Sequence, residues 1–119
     1  MEVNATKLAA IFQQFKVHTD SEASLQASLM RVLQESGVGF EREVRISDKD
    51  RIDFVVGKVG IEAKIKFSAS DVTRQLHRYA QSDAIEELLL VTTRSKHLKV
   101  PAQMSGKPVS VCYVMRGLF

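Results

Sequence analysis

Cysteine is nearly absent from this chain, which has one in 119 residues. A single cysteine excludes a disulfide framework, a zinc cluster and an iron–sulfur site, because each of these needs several protein ligands. Cys112 lies within an apolar strand pattern, so we expect it to be an inert core residue.

The marks of several other protein classes are also missing. No apolar run approaches the roughly eighteen residues that span a membrane, and the N-terminus has no signal-peptide core, so we expect a cytoplasmic protein without a membrane partner. A glycine-rich phosphate loop and the G-x-S-x-G pattern are absent, which argues against a small-molecule cofactor and a serine hydrolase. The three histidines have no metal-ligand spacing, and each is expected at the surface: His18, His77 and His97.

The composition is that of one compact domain. Apolar residues make up 45% of the chain and charged residues 26%, and this length suffices for one core but not two. We expect one domain over residues 1–119, with an N-terminal helix extension (1–18) and a core (19–115). The formal net charge of +3 suits a polyanionic partner without requiring one.

The segment from Arg51 to Phe67 has the pattern of a β-hairpin. Alternation predicts strands over Arg51–Val56 and Val59–Phe67, with Gly57-Lys58-Val59-Gly60 as the turn. One face of this hairpin should be apolar and carry Ile52, Phe54, Val56, Ile61, Ala63 and Ile65.

Acidic residues meet on the other face of the hairpin. Opposed residues of an antiparallel pair point the same way, so a loop of even length sets Asp53 beside Glu62 or beside Lys64. Two carboxylates about 5 Å apart repel by roughly 3 kcal/mol at an effective dielectric constant of about 20. A divalent cation would turn that repulsion into ligation, and oxygen ligands suit Mg²⁺ or Mn²⁺. The alternative is a structural set of ion pairs among these residues and Arg51.

Asp53, eight further residues and then Glu62-Ala63-Lys64 make a pattern that resembles the core of the PD-(D/E)xK nucleases, with Ile52 where the family has proline. The resemblance implies that Asp53, Glu62 and the main-chain carbonyl of Ala63 bind one or two Mg²⁺ or Mn²⁺ ions. It also implies that Lys64 holds or deprotonates the attacking water and offsets phosphate charge.

The helix predicted after the hairpin carries a second motif. Residues 68–70 offer caps for a helix over Asp71–Gln81, in which Gln75 and Tyr79 lie one turn apart on the same face. Their Q-x-x-x-Y spacing resembles the motif that follows the E-x-K strand in nuclease domains of bacterial recombination exonucleases. The resemblance implies that both orient the substrate or the metal water; otherwise Tyr79 is a core residue and Gln75 is simply exposed.

Two glutamates upstream of the hairpin are candidates for the same metal shell. Glu22 is either the last residue of a capping box, turned back to the amide of Thr19, or a residue near the metal. Glu43 is either an outward-facing partner of Arg45 or Arg51, or a side chain that points into the metal patch.

The remaining elements follow from apolar periodicity. Helices are predicted over Ala5–Lys16, capped by Asn4, and over Asp20–Ser36. A strand over Phe40–Ser47 should carry Phe40, Arg42, Val44 and Ile46 on one face. A buried strand over Glu86–Thr93 follows a helical crossover and should therefore lie parallel to the Glu62 strand. A last strand, Val109–Met115, should lie beside it at or near the sheet edge, after a helical or irregular piece around Ala102–Met104.

These elements predict an α/β fold with a mixed sheet, a three-strand antiparallel meander plus a parallel strand, flanked by helices. By resemblance this is a restriction-endonuclease-like core with one extra N-terminal helix. The resemblance implies a Mg²⁺-dependent deoxyribonuclease, structure-selective or directed by a partner, in DNA repair, recombination or phage and mobile-element biology. The partner would be DNA, in a homodimer or larger nucleoprotein complex; the alternative is a catalytically silent binding module on the same fold. Hydroxyls and positive charge suit phosphate oxygens, and the expected DNA contacts are Arg51, Lys66, Arg78, Thr93, Arg94 and Lys96.

Overall fold

The computed structural model describes residues 3–114, and within them it is an α/β fold with three α-helices and a mixed six-stranded sheet. The helices are α1 (Ala5–Gln13), α2 (Glu22–Glu35) and α3 (Ala69–Ala80). The strands are β1 (Glu41–Arg45), β2 (Arg51–Val56), β3 (Val59–Lys64), β4 (Glu87–Thr92), β5 (Gln103–Met104) and β6 (Lys107–Tyr113). A short 3₁₀-helix covers Ser95–Lys99.

The sheet has the strand order β1-β2-β3-β4-β6-β5. Strands β1 to β3 form an antiparallel meander, and β3, β4 and β6 are parallel. The predicted parallel pairing of β4 with the Glu62 strand is therefore confirmed, as is the position of the last strand beside it. The piece at residues 102–104 is not helical, because Gln103 and Met104 pair with β6. Met115 lies outside the described residues.

Both faces of the sheet are covered. Helices α1 and α2 pack on one face with Phe54, Ile61 and Leu89, and we call this side the α1–α2 core. Helix α3 covers the other face with Leu88 and Leu90, and we call this side the α3 core. The prediction that the hairpin has one apolar side is therefore wrong, whereas the burial of β4 on both faces is confirmed.

The first two helices are shorter than predicted. Helix α1 is capped by Asn4, as expected, but ends at Gln13, and Phe15 beyond it is 37% exposed. Leu8 and Phe12 of α1 are nonetheless fully buried in the α1–α2 core. No helix within residues 3–114 is both long and apolar enough to cross a bilayer.

Glycine shapes the β2–β3 hairpin at two positions. Gly57 has a φ of +60° and begins a two-residue turn with Lys58, as a type II′ hairpin turn requires. Gly60 belongs to β3 rather than to the predicted turn. A Cβ atom there would lie 2.4 Å from Cδ1 of Ile52, so the α3 core closes directly against this backbone.

Candidate functional site

The candidate site lies where β2 and β3 separate. Their pairing runs from Val56–Val59 to Phe54–Ile61, and the same register carried one step further sets Asp53 opposite Glu62. At that step, hydrogen bonds from main-chain amides to side-chain carboxylates replace the main-chain hydrogen bonds of the β-ladder. The Asp53 amide donates to Oε1 of Glu62 at 3.2 Å, and the Ala63 amide donates to Oδ2 of Asp53 at 2.8 Å. Of the two expected neighbours of Asp53, Glu62 is therefore the one directly opposite.

Next to this separation, the apolar side chains of β1 and β2 change from one face of the sheet to the other. Arg42 and its partner Phe54 lie on the α1–α2 side, with the guanidinium 5.1 Å from the ring centroid. Val44 and its partner Ile52 pack in the α3 core instead. Glu43, between them, has a φ of +50°, a left-handed conformation that breaks regular alternation. The predictions that each strand keeps its apolar residues on one face are therefore wrong at this point.

The hydroxyl group of Tyr79 contacts Glu62 from within the core. Tyr79 is 1% exposed, and its hydroxyl lies 3.0 Å from Oε2 of Glu62 and 3.2 Å from the carbonyl oxygen of Arg51. Tyr79 is thus a core residue and also a hydrogen-bond donor to Glu62. Gln75, one turn earlier, is half-buried and lines the adjacent cleft.

Lys64 links buried Glu62 to an open cleft. Its Nζ atom lies 3.7 Å from Oε2 of Glu62, and its side chain is 11% exposed. The ammonium also lies 5.2 Å from the ring centroid of Phe67, within the range of a cation–π contact. An open cleft of about 430 Å³ begins here, and it is lined by Lys64, Phe67, Asp71, Val72, Gln75 and Arg78.

The two acids are destabilised in their ionised forms. Burial, followed by the nearby charge of Asp53, raises the pKa of Glu62 to about 8. Burial likewise raises the pKa of Asp53, although the hydrogen bond from Ala63 and the charge of Lys64 oppose this shift. One ammonium therefore does not neutralise two desolvated carboxylates.

Glu22 is held at the end of β3. Its Oε1 atom accepts hydrogen bonds from the amides of Ile65 at 3.0 Å and Lys66 at 3.2 Å. Ser21 caps α2 instead, with its hydroxyl accepting from the Ser24 amide at 3.0 Å. The capping-box interpretation is therefore wrong, and the charge of Glu22 contributes, as the smallest cause, to the raised pKa of Asp53, which burial dominates.

The other predicted site residues differ in exposure. Glu43 is exposed, in line with the outward-facing alternative. The expected DNA contacts Arg51, Lys66, Arg94 and Lys96 are also exposed. Arg78 is half-exposed and pairs with Asp50, Nε to Oδ1, at 3.1 Å. Thr93 departs from expectation: it is 6% exposed, and its Oγ1 is the one buried side-chain N or O atom within residues 3–114 that lacks a hydrogen-bond partner.

His97 is buried, which corrects the prediction of a surface residue. Its Nε2 lies 2.8 Å from the carbonyl oxygen of Phe67, and its Nδ1 lies 2.6 Å from Oγ1 of Thr92. A carbonyl oxygen only accepts, so Nε2 carries a proton and donates it to this bond. His77 and His18 are exposed, as predicted.

Sequence reasoning missed two residues, namely Phe67, which lines the cleft, and the buried His97, which contacts the Phe67 carbonyl. Their link joins the segment after β3 to the 3₁₀-helix, 30 residues later. The sequence did contain a signal for Phe67. This bulky aromatic residue directly precedes Ser68, the polar cap of α3, at a position where the strand has ended and no core is available to its side chain.

The donor set fits a hard cation. Within residues 3–114, no group of three or more His, Cys, Asp or Glu side chains is arranged to hold a metal. Mg²⁺, however, is commonly bound through one or two carboxylates, retaining waters and taking its other ligands from substrate phosphates. Two carboxylates with raised pKa values meet that requirement, because a cation would relieve their repulsion.

Comparison with known proteins identifies no relative. No protein-family model, curated protein or solved structure matches the chain.

Proposed function

We propose that the chain is a metal-dependent deoxyribonuclease that hydrolyses DNA phosphodiester bonds, on a restriction-endonuclease-like core. The observation that carries the proposal is the contact between half-buried Asp53 and buried Glu62, with Lys64 linking Glu62 to a cleft. The order of helix, three-strand meander, helix and parallel strand supports it, as does the basic net charge of +3. The proposed setting is DNA repair, recombination or phage biology, with cutting directed by DNA structure or by a partner.

The costs of the arrangement support a functional origin. Desolvated carboxylates in contact are unfavourable for folding, and selection for stability alone would replace one of them by an amide. Asp53 and Glu62 would hold Mg²⁺ or Mn²⁺ together with the carbonyl of Ala63, and Glu22 is positioned near the same strand end. A bound cation of this kind polarises a phosphate and lowers the pKa of a water.

The remaining side chains have roles that follow from their positions. The Lys64 ammonium donates hydrogen bonds to the attacking water or a phosphate oxygen and offsets the developing charge. Gln75 lies on the cleft wall, where it can donate to the substrate. Tyr79 holds Glu62 from the buried side and is a positioning residue.

Cleavage of plasmid and branched DNA tests the proposal. Wild-type protein should nick DNA with Mg²⁺ or Mn²⁺ but not with EDTA. Asp53→Asn and Lys64→Ala should each lower the rate by at least about 100-fold while circular dichroism shows a folded protein. Asp48→Asn and Lys49→Ala are matched controls in the exposed turn before β2, and they should cut normally.

A negative result would discriminate between the two functional classes. If the wild type binds these DNAs but cuts none of them with either metal, the silent binding module is correct and the nuclease proposal fails.

A further inference from the structure

Phe67 is an exposed aromatic residue at the mouth of the cleft. It is 56% exposed and lines the cleft together with Lys64 and Gln75. A phenylalanine gains stability by burial, and this ring forgoes more than half of that gain; its contact with the Lys64 ammonium is worth only about 0.5 to 1 kcal/mol at an exposed site. Its exposure points to a ligand with an apolar face.

The backbone of Phe67 is strained. Its φ of +74° is a conformation that bulky L-residues rarely adopt and that glycine adopts freely. Strain of this kind persists only where the surroundings impose it, and it is concentrated at ligand-binding sites. Exposure and strain at one residue are two independent unfavourable features.

The fold supplies a buried support for this conformation. His97, 0% exposed, lies 2.8 Å through Nε2 from the Phe67 carbonyl. Thr92, at the end of β4, fixes the other ring nitrogen of His97 at 2.6 Å and accepts from the amide of Arg94 at 3.1 Å. The position of Phe67 is thus set by a hydrogen-bonded chain that reaches into the sheet.

We propose that Phe67 is a stacking platform for an unpaired nucleobase next to the scissile phosphate. This inference rests on the proposed nuclease and names its substrate class: DNA with unpaired nucleotides at the cleavage point, such as a flap, a branch or a single strand. Bases stack on aromatic rings whatever their sequence, but only when they are out of the duplex. The Lys64 ammonium lies over the ring, 5.2 Å from its centroid, and so places the ring beside the candidate catalytic centre.

The charge around the ring fits the same ligand. Lys66 precedes Phe67 and is exposed, and Arg78, which pairs with Asp50, lines the same cleft together with Asp71. Positive charge beside an aromatic face is the usual arrangement for binding single-stranded nucleic acid.

Fluorescence of 2-aminopurine tests the inference without requiring cleavage. The full chain in EDTA is titrated into two DNAs of equal length, one with the probe in an unpaired flap at the junction and one with the probe paired in flush duplex. We expect tighter binding to the flap, with quenching of the probe as it stacks. Phe67→Ala should weaken flap binding by about 10-fold to 100-fold and abolish the quenching, leaving duplex binding unchanged.

Three further variants make the outcome decisive. Phe67→Gly relieves the strained φ and keeps the main-chain carbonyl that His97 contacts, so it should fold at least as stably as wild type yet lose the flap preference. Phe67→Trp should retain the preference, and Phe15→Ala, which removes another exposed phenylalanine, should behave like wild type.

The results separate this inference from the proposed function. Metal-dependent nicking without flap preference or quenching would overturn the stacking role and leave the nuclease intact. Flap preference and quenching that depend on Phe67 would support the stacking role even if no DNA were cut. Equal weakening of flap and duplex binding by Phe67→Gly would overturn it, because the ring would then act only by holding Lys64.

Discussion

Asp53 and Glu62 are linked by a hydrogen bond from the amide of the first to the carboxylate of the second, at 3.2 Å. This bond takes the place of a ladder bond between β2 and β3, so the strand separation and the meeting of the acids are one feature. The fold therefore holds the acids close by main-chain donors, whatever their charges.

Replacing Glu62 by glutamine should stabilise the metal-free protein at alkaline pH. The pKa of Glu62 rises from 4.5 to about 8 on folding, so the native state binds more protons than the unfolded state between these values. Its contribution to stability is therefore full below pH 4.5 and is lost as the pH rises to about 8. In EDTA at pH 8.5, Glu62→Gln should raise the free energy of unfolding by a few kcal/mol, on the order expected from the shift.

Denaturant unfolding at pH 5 and pH 8.5 measures that change. The gain should shrink to less than about 1 kcal/mol at pH 5, where Glu62 is protonated in the native state, and the exposed control Glu41→Gln should show no gain at either pH. Equal effects of Glu62→Gln at both pH values would mean that repulsion does not act on this residue.

Mg²⁺ should bind more tightly as the pH rises. Ligand carboxylates must be ionised, and both acids have raised pKa values, so binding should release protons and strengthen towards about pH 8. Calorimetry in two buffers of different ionisation enthalpy measures the proton release. Asp53→Asn should abolish the binding, whereas the exposed control Asp48→Asn should retain it; affinity independent of pH would argue against ligation by Glu62.

Tyr79→Phe should test the support beneath Glu62. The substitution keeps the buried ring and removes the hydroxyl that lies 3.0 Å from Oε2, at a cost of about 1 to 3 kcal/mol. The lost hydrogen bond favoured ionised Glu62, so the pH profile of cleavage should move to higher pH. Tyr113→Phe, at an exposed position, is the control and should change neither stability nor profile.

Gly60→Ala should destabilise the fold through Ile52. The new methyl group would lie 2.4 Å from Cδ1 of Ile52 and 3.1 Å from atoms of Ile85 and Leu88, and overpacking of this kind costs about 1 to 3 kcal/mol. Adding Ile52→Val removes the closest atom and should restore part of the loss. A double-mutant cycle by thermal unfolding checks this, and strict additivity of the two changes would contradict it.

Much of the fold could be predicted because periodicity depends on burial. The apolar stripe of α2, the buried leucines of β4 and the parallel pairing of β3 with β4 after helix α3 each follow from a local apolar pattern. The hairpin parity likewise brought Asp53 and Glu62 together. Local patterns are sufficient where an element packs in a regular way.

Other features could not be predicted because they depend on distant partners. Glutamate has no intrinsic preference for positive φ. No local signal in the sequence therefore predicts that the strand residues change from one face of the sheet to the other at Glu43. The burial of His97 depends on Thr92 and on a carbonyl 30 residues earlier. Glu22 accepts hydrogen bonds from the amides of Ile65 and Lys66 at the end of β3 instead of capping its own helix. A local capping rule cannot include such distant donors.

The docking of α1 has a consequence for synthesis of the chain. Gln13 at the end of this helix donates to the carbonyl of Tyr113 in β6, 100 residues later, at 2.9 Å. At about 5 to 20 residues per second, the ribosome needs roughly 5 to 20 s to make the intervening segment. Leu8 and Phe12 remain without their final cover throughout that interval, so these two apolar side chains of the nascent chain stay exposed until β6 has emerged.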